Sequence, residues 1–474
     1  MTSAKQPTQT ASSIQIPINI IVLAAGQGKR MNSQLPKVLH QIAGVSMLGH
    51  VLAMAYQLVP QHICVVYGHG GETVRETFAE AKILWAKQDP QLGTGHAVLQ
   101  AINLLKSTPG QQGVTLVLYA DVPLIRATTL NRLVVLAKQN TLAWLTMNVA
   151  DPFGLGRVLR DKQNKVTAIV EEKDATSAER DIHEVNSGFL ACPTEWLAKW
   201  LPELNNSNAQ GEYYLTDILA LAVADGCKVE TISADDEFEI MGVNNQQQLA
   251  QLERIYQHEN ANRLLAEGVS LADPARIDVR GNLTIAEDVF IDVNCIFVGD
   301  VHLNANVKIN ANCILQNCTI GTGTVILPFT LIDGATIGSN ARIGPYARIR
   351  PDTTLADNVH IGNFVEVKAS EINEGSKANH LSYIGDTSVG KNVNIGAGTI
   401  TCNFDGANKH RTVIEDNVQI GSDVQLVAPV TVKEGATIAA GTTVWKDAAA
   451  GELTLNQKTQ MILKNWQRPT KKPR

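Results

Sequence analysis

Ile337, Ile343, Ile349, Leu355, Ile361 and Val367 recur at an unbroken spacing of six, and Ile414, Ile420, Leu426, Val432, Ile438 and Val444 repeat it further on. An α-helix places apolar positions every 3.6 residues. Plain strand alternation gives no reason to single out every third inward position for a branched aliphatic side chain. Such a hexad marks a parallel β-helix, in which each unit makes one short strand and one corner and about three units close a coil. The large side chain points into a prism while the backbone pairs with the coils above and below. Glycine follows the anchor in Ile320-Gly321, Ile337-Gly338, Ile343-Gly344, Ile361-Gly362, Val389-Gly390, Ile395-Gly396 and Ile420-Gly421. That placement suits corners that need small residues or positive φ. Hexapeptide prisms wind left-handed, the recognised exception to the right-handed crossover rule.

The hexads begin with Ile285, Ile291, Phe297, Leu303, Ile309 and Leu315, slip to Ile320, Ile326 and Ile332, and slip again to Ile337. Two larger breaks, between Val367 and Val389 and between Thr401 and Ile414, are expected to be insertions. Extra residues leaving a rigid scaffold are where binding and chemistry tend to sit. A chain of 474 residues is too long for one ordinary core. The expected division is an extension over 1–17, an α/β domain over 18–245, a linker helix over 246–268, the solenoid over 269–447 and a carboxy-terminal arm over 448–474. The extension is rich in Ser, Thr and Gln without an apolar leader core, and is expected to be disordered.

A net charge of −6 and few aromatic residues give no footprint for nucleic acid or membrane, and no run approaches a membrane span. Lys464, Arg468, Lys471, Lys472 and Arg474 gather near the end, as a solvated tail or a contact for an anionic ligand or RNA. The seven cysteines are scattered without zinc spacing, as in a reducing cytoplasm.

Ile18 to Leu23 is a continuous apolar run ending in Ala24-Ala25-Gly26-Gln27-Gly28-Lys29-Arg30-Met31, a buried strand opening into a glycine-rich turn. Glycines there let backbone amides approach a phosphate. Neither the Rossmann fingerprint nor the P-loop fits, so the turn belongs to another nucleotide fold. Arg30 and Lys37 put two cations within reach, as a triphosphate requires. Val114 to Tyr119 reads as a second buried strand ending in Ala120-Asp121-Val122-Pro123. A carboxylate there lies in the crevice where open α/β sheets bind ligands, making Asp121 either a Mg²⁺ ligand or a capping residue. Gln91-Leu92-Gly93-Thr94-Gly95-His96-Ala97 could bring backbone against a flat base, with His96 a simple helix-start residue.

These motifs, with Leu35-Pro36-Lys37-Val38-Leu39, Asn208-Ala209-Gln210-Gly211-Glu212-Tyr213-Tyr214, Gly242-Val243-Asn244-Asn245 and the hexads, resemble a bacterial family over nearly the whole chain beyond the extension. The family is that of bifunctional N-acetylglucosamine-1-phosphate uridyltransferases and glucosamine-1-phosphate acetyltransferases. The resemblance implies a Rossmann-like α/β nucleotidyltransferase domain joined by a helix to a left-handed parallel β-helix. It places Leu23, Ala24, Ala25, Gly26, Lys37, Gln88, Gly93 and Thr94 around UTP, and Tyr119, Ala120 and Asp121 beside the metal. Gly156, Glu171 and Asn186 would hold the sugar, and Asn244 would share Mg²⁺ with Asp121. Lys29 stands where the family commonly has Thr, and Ala120 where it commonly has Gly.

In the solenoid the resemblance makes His380 the base that takes a proton from the amine of glucosamine-1-phosphate as it attacks acetyl-CoA. Imidazole suits that task, because amine attack generates a cationic adduct near neutral pH. Arg350, Lys368, Tyr383 and Asn394 match the sugar-phosphate contacts, and Glu366 is a candidate to orient His380. Ala397, Asn403, Phe404, Ser422 and Ala440 match the acetyl-CoA contacts, with Phe404 replacing the family's usual Tyr. The basic arm residue of the family has no clear counterpart. A cytoplasmic homotrimer with shared acetyl-transfer sites, no nucleic-acid partner and no membrane insertion is implied. The competing expectations are a single-activity nucleotidyltransferase with a regulatory solenoid, and a solenoid that is only a scaffold.

Overall fold

The computed structural model describes residues 16–68, 70–108, 112–457 and 460–469, and the chain divides into two compact units, Met1–Tyr256 and Gln257–Arg474. Most of the expected extension, and Lys471, Lys472 and Arg474 of the basic run, lie outside the described residues.

In the first unit the two apolar runs are neighbouring strands, Ile18–Ala24 and Val114–Tyr119, paired in parallel with Leu23 opposite Tyr119. On the other side of Ile18–Ala24 lie His62–Tyr67 and then Leu84–Lys87, also parallel. Beyond Val114–Tyr119 the sheet turns mixed. Glu184–Pro193 runs antiparallel to it and to Thr141–Asn148, which pairs in parallel with Lys228–Ser233. Alternation along the first strand divides its side chains between two cores. Ile20 and Val22 pack with Leu48, Val51, Leu130 and Leu133, from the helices Met47–Gln57 and Ala127–Ala137. Ile21 and Leu23 pack with Val98, Ile102, Leu197 and Leu219, from Thr94–Leu105, Thr194–Trp200 and Ile218–Ala224. Both faces are covered, which is why the strand reads as an uninterrupted apolar run. The chain leaves Ile18–Ala24 between two parallel neighbours, so a crevice opens at the carboxyl ends of these strands.

The expected linker helix forms over Gln246–Ala266. Leu252 belongs to the core around Met31, Ile42 and Met47, and Ala261 and Leu264 to the core of the second unit. Gly268 closes it at φ 93°, with the Val269 amide donating to Leu264, a glycine C-cap as expected. No described helix is long and apolar enough to cross a membrane.

The second unit is a stack of parallel coils from Ser270–Leu271 to Leu453–Thr454, past the expected end at 447. The hexad anchors form its one continuous core. Registers such as Ile326 opposite Ile343, then Ile361, then Ala378 give coils of three units. The expected insertion between Val367 and Val389 is not one. Ile372, Ala378 and Ile384 are buried and pair with Leu355, Ile361 and Val367, so the coil runs on. Two one-residue slips and a small anchor, Ala378, hide the period there. The second insertion is real: Thr401 and Cys402 pair with Leu426 and Val427, while Asn403 to Arg411 leaves the coil and folds back through a bridge between Phe404 and Lys409.

Of the seven glycines that follow anchors, only Gly344 has positive φ. The left-handed corners fall instead on residues such as Asn340, Asn358, Asn392 and Asn417, whose short side chains tolerate that region. Most of the glycines are required by the neighbouring coil: a Cβ on Gly338 would lie 2.6 Å from the Ala356 carbonyl carbon. Gly338→Val should therefore cost about 2 kcal/mol and lower the melting temperature of this unit by roughly 4–8 °C, measured by circular dichroism.

Candidate functional sites

The crevice of the first unit is a cleft of about 520 Å³ lined by Leu23, Ala24, Ala25, Gly26, Lys37, Gln88, Gly93, Thr94, Tyr119 and Asp121, ten of the residues expected around the nucleotide and metal. Arg30 is exposed and outside that lining, where Lys29 stands. Ala120 is buried behind the cleft, its amide donating to Leu23. Gly28 must be glycine: its φ is 61° and a Cβ would lie 2.8 Å from that of Lys37. Gly93 opens the helix Thr94–Leu105 at φ 105°, directly against Tyr213. Gln88 donates to the Gly93 carbonyl at 2.9 Å, and its Nε2 lies 3.1 Å from Nδ1 of His96. His96, also bonded to Gln100, is a structural helix residue.

At the cleft floor the Lys37 ammonium contacts the Asp121 carboxylate and donates to Asn244 Oδ1 at 2.9 Å. A cation thus sits where a carboxylate and an amide oxygen converge, and two hard oxygens leaving room for phosphate and water suit Mg²⁺. Among the described residues no group of three or more His, Cys, Asp and Glu side chains could cage a metal.

The expected sugar residues also converge. A Cβ on Gly156 would lie 3.3 Å from Glu171 Oε2 and 3.5 Å from the Asn186 Cβ. Glu171 accepts from Thr216 at Oε1, and burial raises its carboxyl above the usual range. Behind them Arg157, only 2 % exposed, pairs with Glu172 at 2.8 Å. A separate cavity of about 530 Å³ lies at the amino ends of the central strands, lined by Gly113, Val114 and Lys138.

In the second unit His380 stands at the end of the strand Lys377–His380, opposite Asn363 of the preceding coil. Its Nδ1 lies 2.8 Å from Asn363 Oδ1. A carboxamide oxygen only accepts, so Nδ1 carries the proton and Nε2 is left as the basic nitrogen. Glu366, the expected orienting partner, is engaged elsewhere: Arg350 donates to it at 2.8 Å and Arg348 lies at 3.9 Å. The longer carboxylate faces the cations, and the shorter amide on the same column as His380 does the orienting.

Lys368 donates to Asp386 at 3.4 Å. The Asn403 amide also contacts that carboxylate, and it reaches the Tyr383 hydroxyl at 3.4 Å. Lys409, which the sequence reading missed, is brought alongside by the folded-back insertion. The Lys368 ammonium beside it pulls Lys409 below the usual lysine range, with Arg350 adding to the effect. Arg350, Lys368 and Lys409 thus gather with the Glu366 and Asp386 carboxylates among them, a donor set of the kind that can bind phosphate.

The register carries Lys377 to Asn394, then Gln419, then Thr437. Ala397, Ser422 and Ala440 consequently follow His380 on successive coils, a line of roughly 14 Å at the ordinary strand spacing. Asn394 is exposed one coil beyond Lys377, and Phe404 is exposed at the start of the insertion.

Fold and sites together define a two-part transferase: a nucleotidyltransferase cleft on one unit and a hexapeptide-prism transferase site on the other. Residues 20–176 match the MobA-like NTP transferase domain, 279–356 the GMPPB C-terminal domain and 411–444 the bacterial transferase hexapeptide family. The bifunctional protein GlmU of Nitrosospira multiformis is 56% identical over 458 residues, covering 96% of this chain and 99% of that protein. Those of Burkholderia multivorans and Paraburkholderia phytofirmans are 58% and 57% identical, each over 96% of this chain and 100% of theirs. The chain belongs to the bifunctional GlmU family.

Proposed function

We propose that the protein acetylates glucosamine-1-phosphate with acetyl-CoA at the prism, and then couples the N-acetylated product to UMP from UTP in the cleft, releasing pyrophosphate. The observation that carries this reading is the pairing, in one chain, of a cation-centred nucleotide cleft at Lys37, Asp121 and Asn244 with an oriented imidazole at His380.

In the prism, Arg350, Lys368 and Lys409 hold the substrate phosphate, with Tyr383 and Asn394 at its edge. The amine nitrogen bonds to the thioester carbonyl carbon, Nε2 of His380 takes the amine proton, and the carbon–sulfur bond breaks as the imidazolium returns that proton to the sulfur, releasing CoA thiol. Acetyl-CoA lies along Ala397, Ser422 and Ala440, with Asn403 and Phe404 at the insertion. In the cleft, Leu23 to Gly26 offer backbone to the UTP phosphates, Gln88, Gly93 and Thr94 flank the base, and Gly156, Glu171 and Asn186 hold the sugar. Asp121 and Asn244 hold Mg²⁺, which when bound neutralises charge on the reacting phosphates. Lys37 and the backbone turn align two polyanions for in-line displacement, so positioning supplies most of the rate.

The prism works as a homotrimer in the cytoplasm. Phe329, Tyr346 and Phe364 stack on successive coils at ring-centre distances of 4.9 and 5.3 Å, all at positive φ and 47–56 % exposed. Bulky residues in that region are strained, and an exposed aromatic ladder beside His380 supports a second copy covering this face and completing the site. Light scattering should give three chains per particle. Phe364→Glu should reduce the mass to one chain and abolish acetyl transfer while sparing uridyl transfer. A wild-type particle of one chain, or full acetylation by the monomeric variant, refutes shared sites.

The overall reading is tested by offering purified protein glucosamine-1-phosphate, acetyl-CoA and UTP, together and separately, with products identified by mass. UDP-N-acetylglucosamine from the full mixture, and N-acetylglucosamine-1-phosphate without UTP, are expected. Free thiol without either product overturns it.

A further inference from the structure

Trp144 lies at the centre of the first unit, fully buried on the strand Thr141–Asn148, and makes one polar contact. Its indole Nε1 donates to Asn186 Oδ1 at 2.6 Å, and the Gly188 amide donates to the same oxygen at 2.7 Å. An indole and a backbone amide can only donate, so the atom they share must be the carbonyl oxygen of Asn186. The carboxamide is held in one of its two orientations, with its NH₂ turned away from the strand. The Asn186 side chain is rooted beside Gly156, a Cβ on which would lie 3.5 Å from the Asn186 Cβ and 3.3 Å from Glu171 Oε2, while Thr216 takes Oε1 of that carboxylate.

We infer that Trp144 is a positioning residue: by locking the Asn186 amide it presents a pure donor beside the Glu171 oxygen, and so makes the sugar pocket select an acetamido group over a free amine. A secondary amide offers one acceptor, its carbonyl, and one donor, its N–H, and the Asn186 donor and the Glu171 acceptor form the complementary pair. An ammonium offers donors only and would leave the Asn186 NH₂ facing positive charge. Discrimination by such unmatched groups is large, because the site's own polar atoms lose their partners. Selection at this point means that the uridyl-transfer cleft accepts the product of acetylation and refuses its precursor. The inference rests on the reading that Asn186 contacts the sugar.

The test measures uridyl transfer in the full chain with N-acetylglucosamine-1-phosphate and with glucosamine-1-phosphate. Trp144→Phe keeps the ring volume and removes the N–H. The expected result is a KM for the acetylated sugar phosphate raised about tenfold, kcat and the KM for UTP within about twofold, and a preference for the acetylated substrate reduced about tenfold. A folded Trp144→Phe enzyme with unchanged sugar KM and preference overturns the inference. Asn186→Asp keeps an acceptor for Trp144 and replaces the presented NH₂ by a carboxylate oxygen. It should move the preference towards the amine whether or not the Trp144 variant folds, and an unmoved preference also overturns the inference. Asn186→Ala separates the two claims. If it leaves the sugar KM unchanged, the sugar-contact reading fails and the inference with it. If it raises KM while Trp144→Phe does not, only the locking role is refuted.

Discussion

His380→Ala should lower thiol release from acetyl-CoA in the presence of glucosamine-1-phosphate about a thousandfold while leaving uridyl transfer within about twofold. The magnitude is that of losing a positioned general base. The size of the effect follows from how the ring is held. Asn363 Oδ1 accepts a hydrogen bond from Nδ1 at 2.8 Å, so the lone pair on Nε2 has a fixed direction. A base of fixed direction avoids the reorientation that a free side chain would need at each turnover. Asn363→Ala keeps the imidazole and removes only its anchor, so it should show a smaller loss of kcat with KM for acetyl-CoA little changed. Thiol release is followed with a chromogenic disulfide and pyrophosphate release by a coupled phosphate assay, on the same preparation. Retained thiol release in His380→Ala would remove the imidazole from the mechanism. No thiol release in the wild type would return the solenoid to a scaffold.

The hexads made the solenoid legible because burial enforces them: the anchors from Ile337 to Val367 fill the prism three to a coil, and a polar residue there would be unpaired. The same signal failed around His380, where Ala378 is too small to read as an anchor and the slips at Ile372 and Val389 shift the count. The coil backbone tolerates both, because pairing depends on register between coils and not on anchor volume. The glycines misled differently. A sequence marks where glycine is needed but does not distinguish positive φ from close approach by the next coil, and at Gly338 the second holds. In the first unit the strand ends carrying Leu23 and Asp121 were readable from continuous apolar runs, since a strand covered on both faces has no polar side. The antiparallel strand Glu184–Pro193 was not anticipated, nor was the role of Lys409. Both depend on how the chain returns in three dimensions, which no local pattern encodes. Glu366 was an expectation from chemical need alone. It lost to Asn363, because the register sets that amide beside His380 and leaves the carboxylate to Arg350.

Asp121→Ala should abolish Mg²⁺-dependent pyrophosphate release, by about 10³-fold or about 4 kcal/mol of transition-state stabilisation, and leave acetyl transfer within about twofold. The Lys37 ammonium lies between the Asp121 carboxylate and the Asn244 oxygen, so one point in the cleft is already built for positive charge. Asp121 and Asn244 would hold a divalent ion there, which would supply charge neutralisation, and the Lys37 ammonium would then be free to bond the substrate phosphates. Asp121 would therefore serve both cations, and its loss would remove a carboxylate ligand while leaving Lys37 without its anionic partner. Asp121→Asn keeps the shape and an oxygen but not the charge. It should fall between wild type and Asp121→Ala and be partly restored by raising Mg²⁺, whereas Asn244→Ala, losing a neutral ligand, should cost less than either. Chelation of the wild type should reproduce Asp121→Ala in the uridyl assay and leave the acetyl assay untouched. Metal-independent pyrophosphate release by Asp121→Ala at the wild-type rate would mean that the carboxylate only anchors Lys37, and that the charge of the reacting phosphates is met by cations of the chain alone.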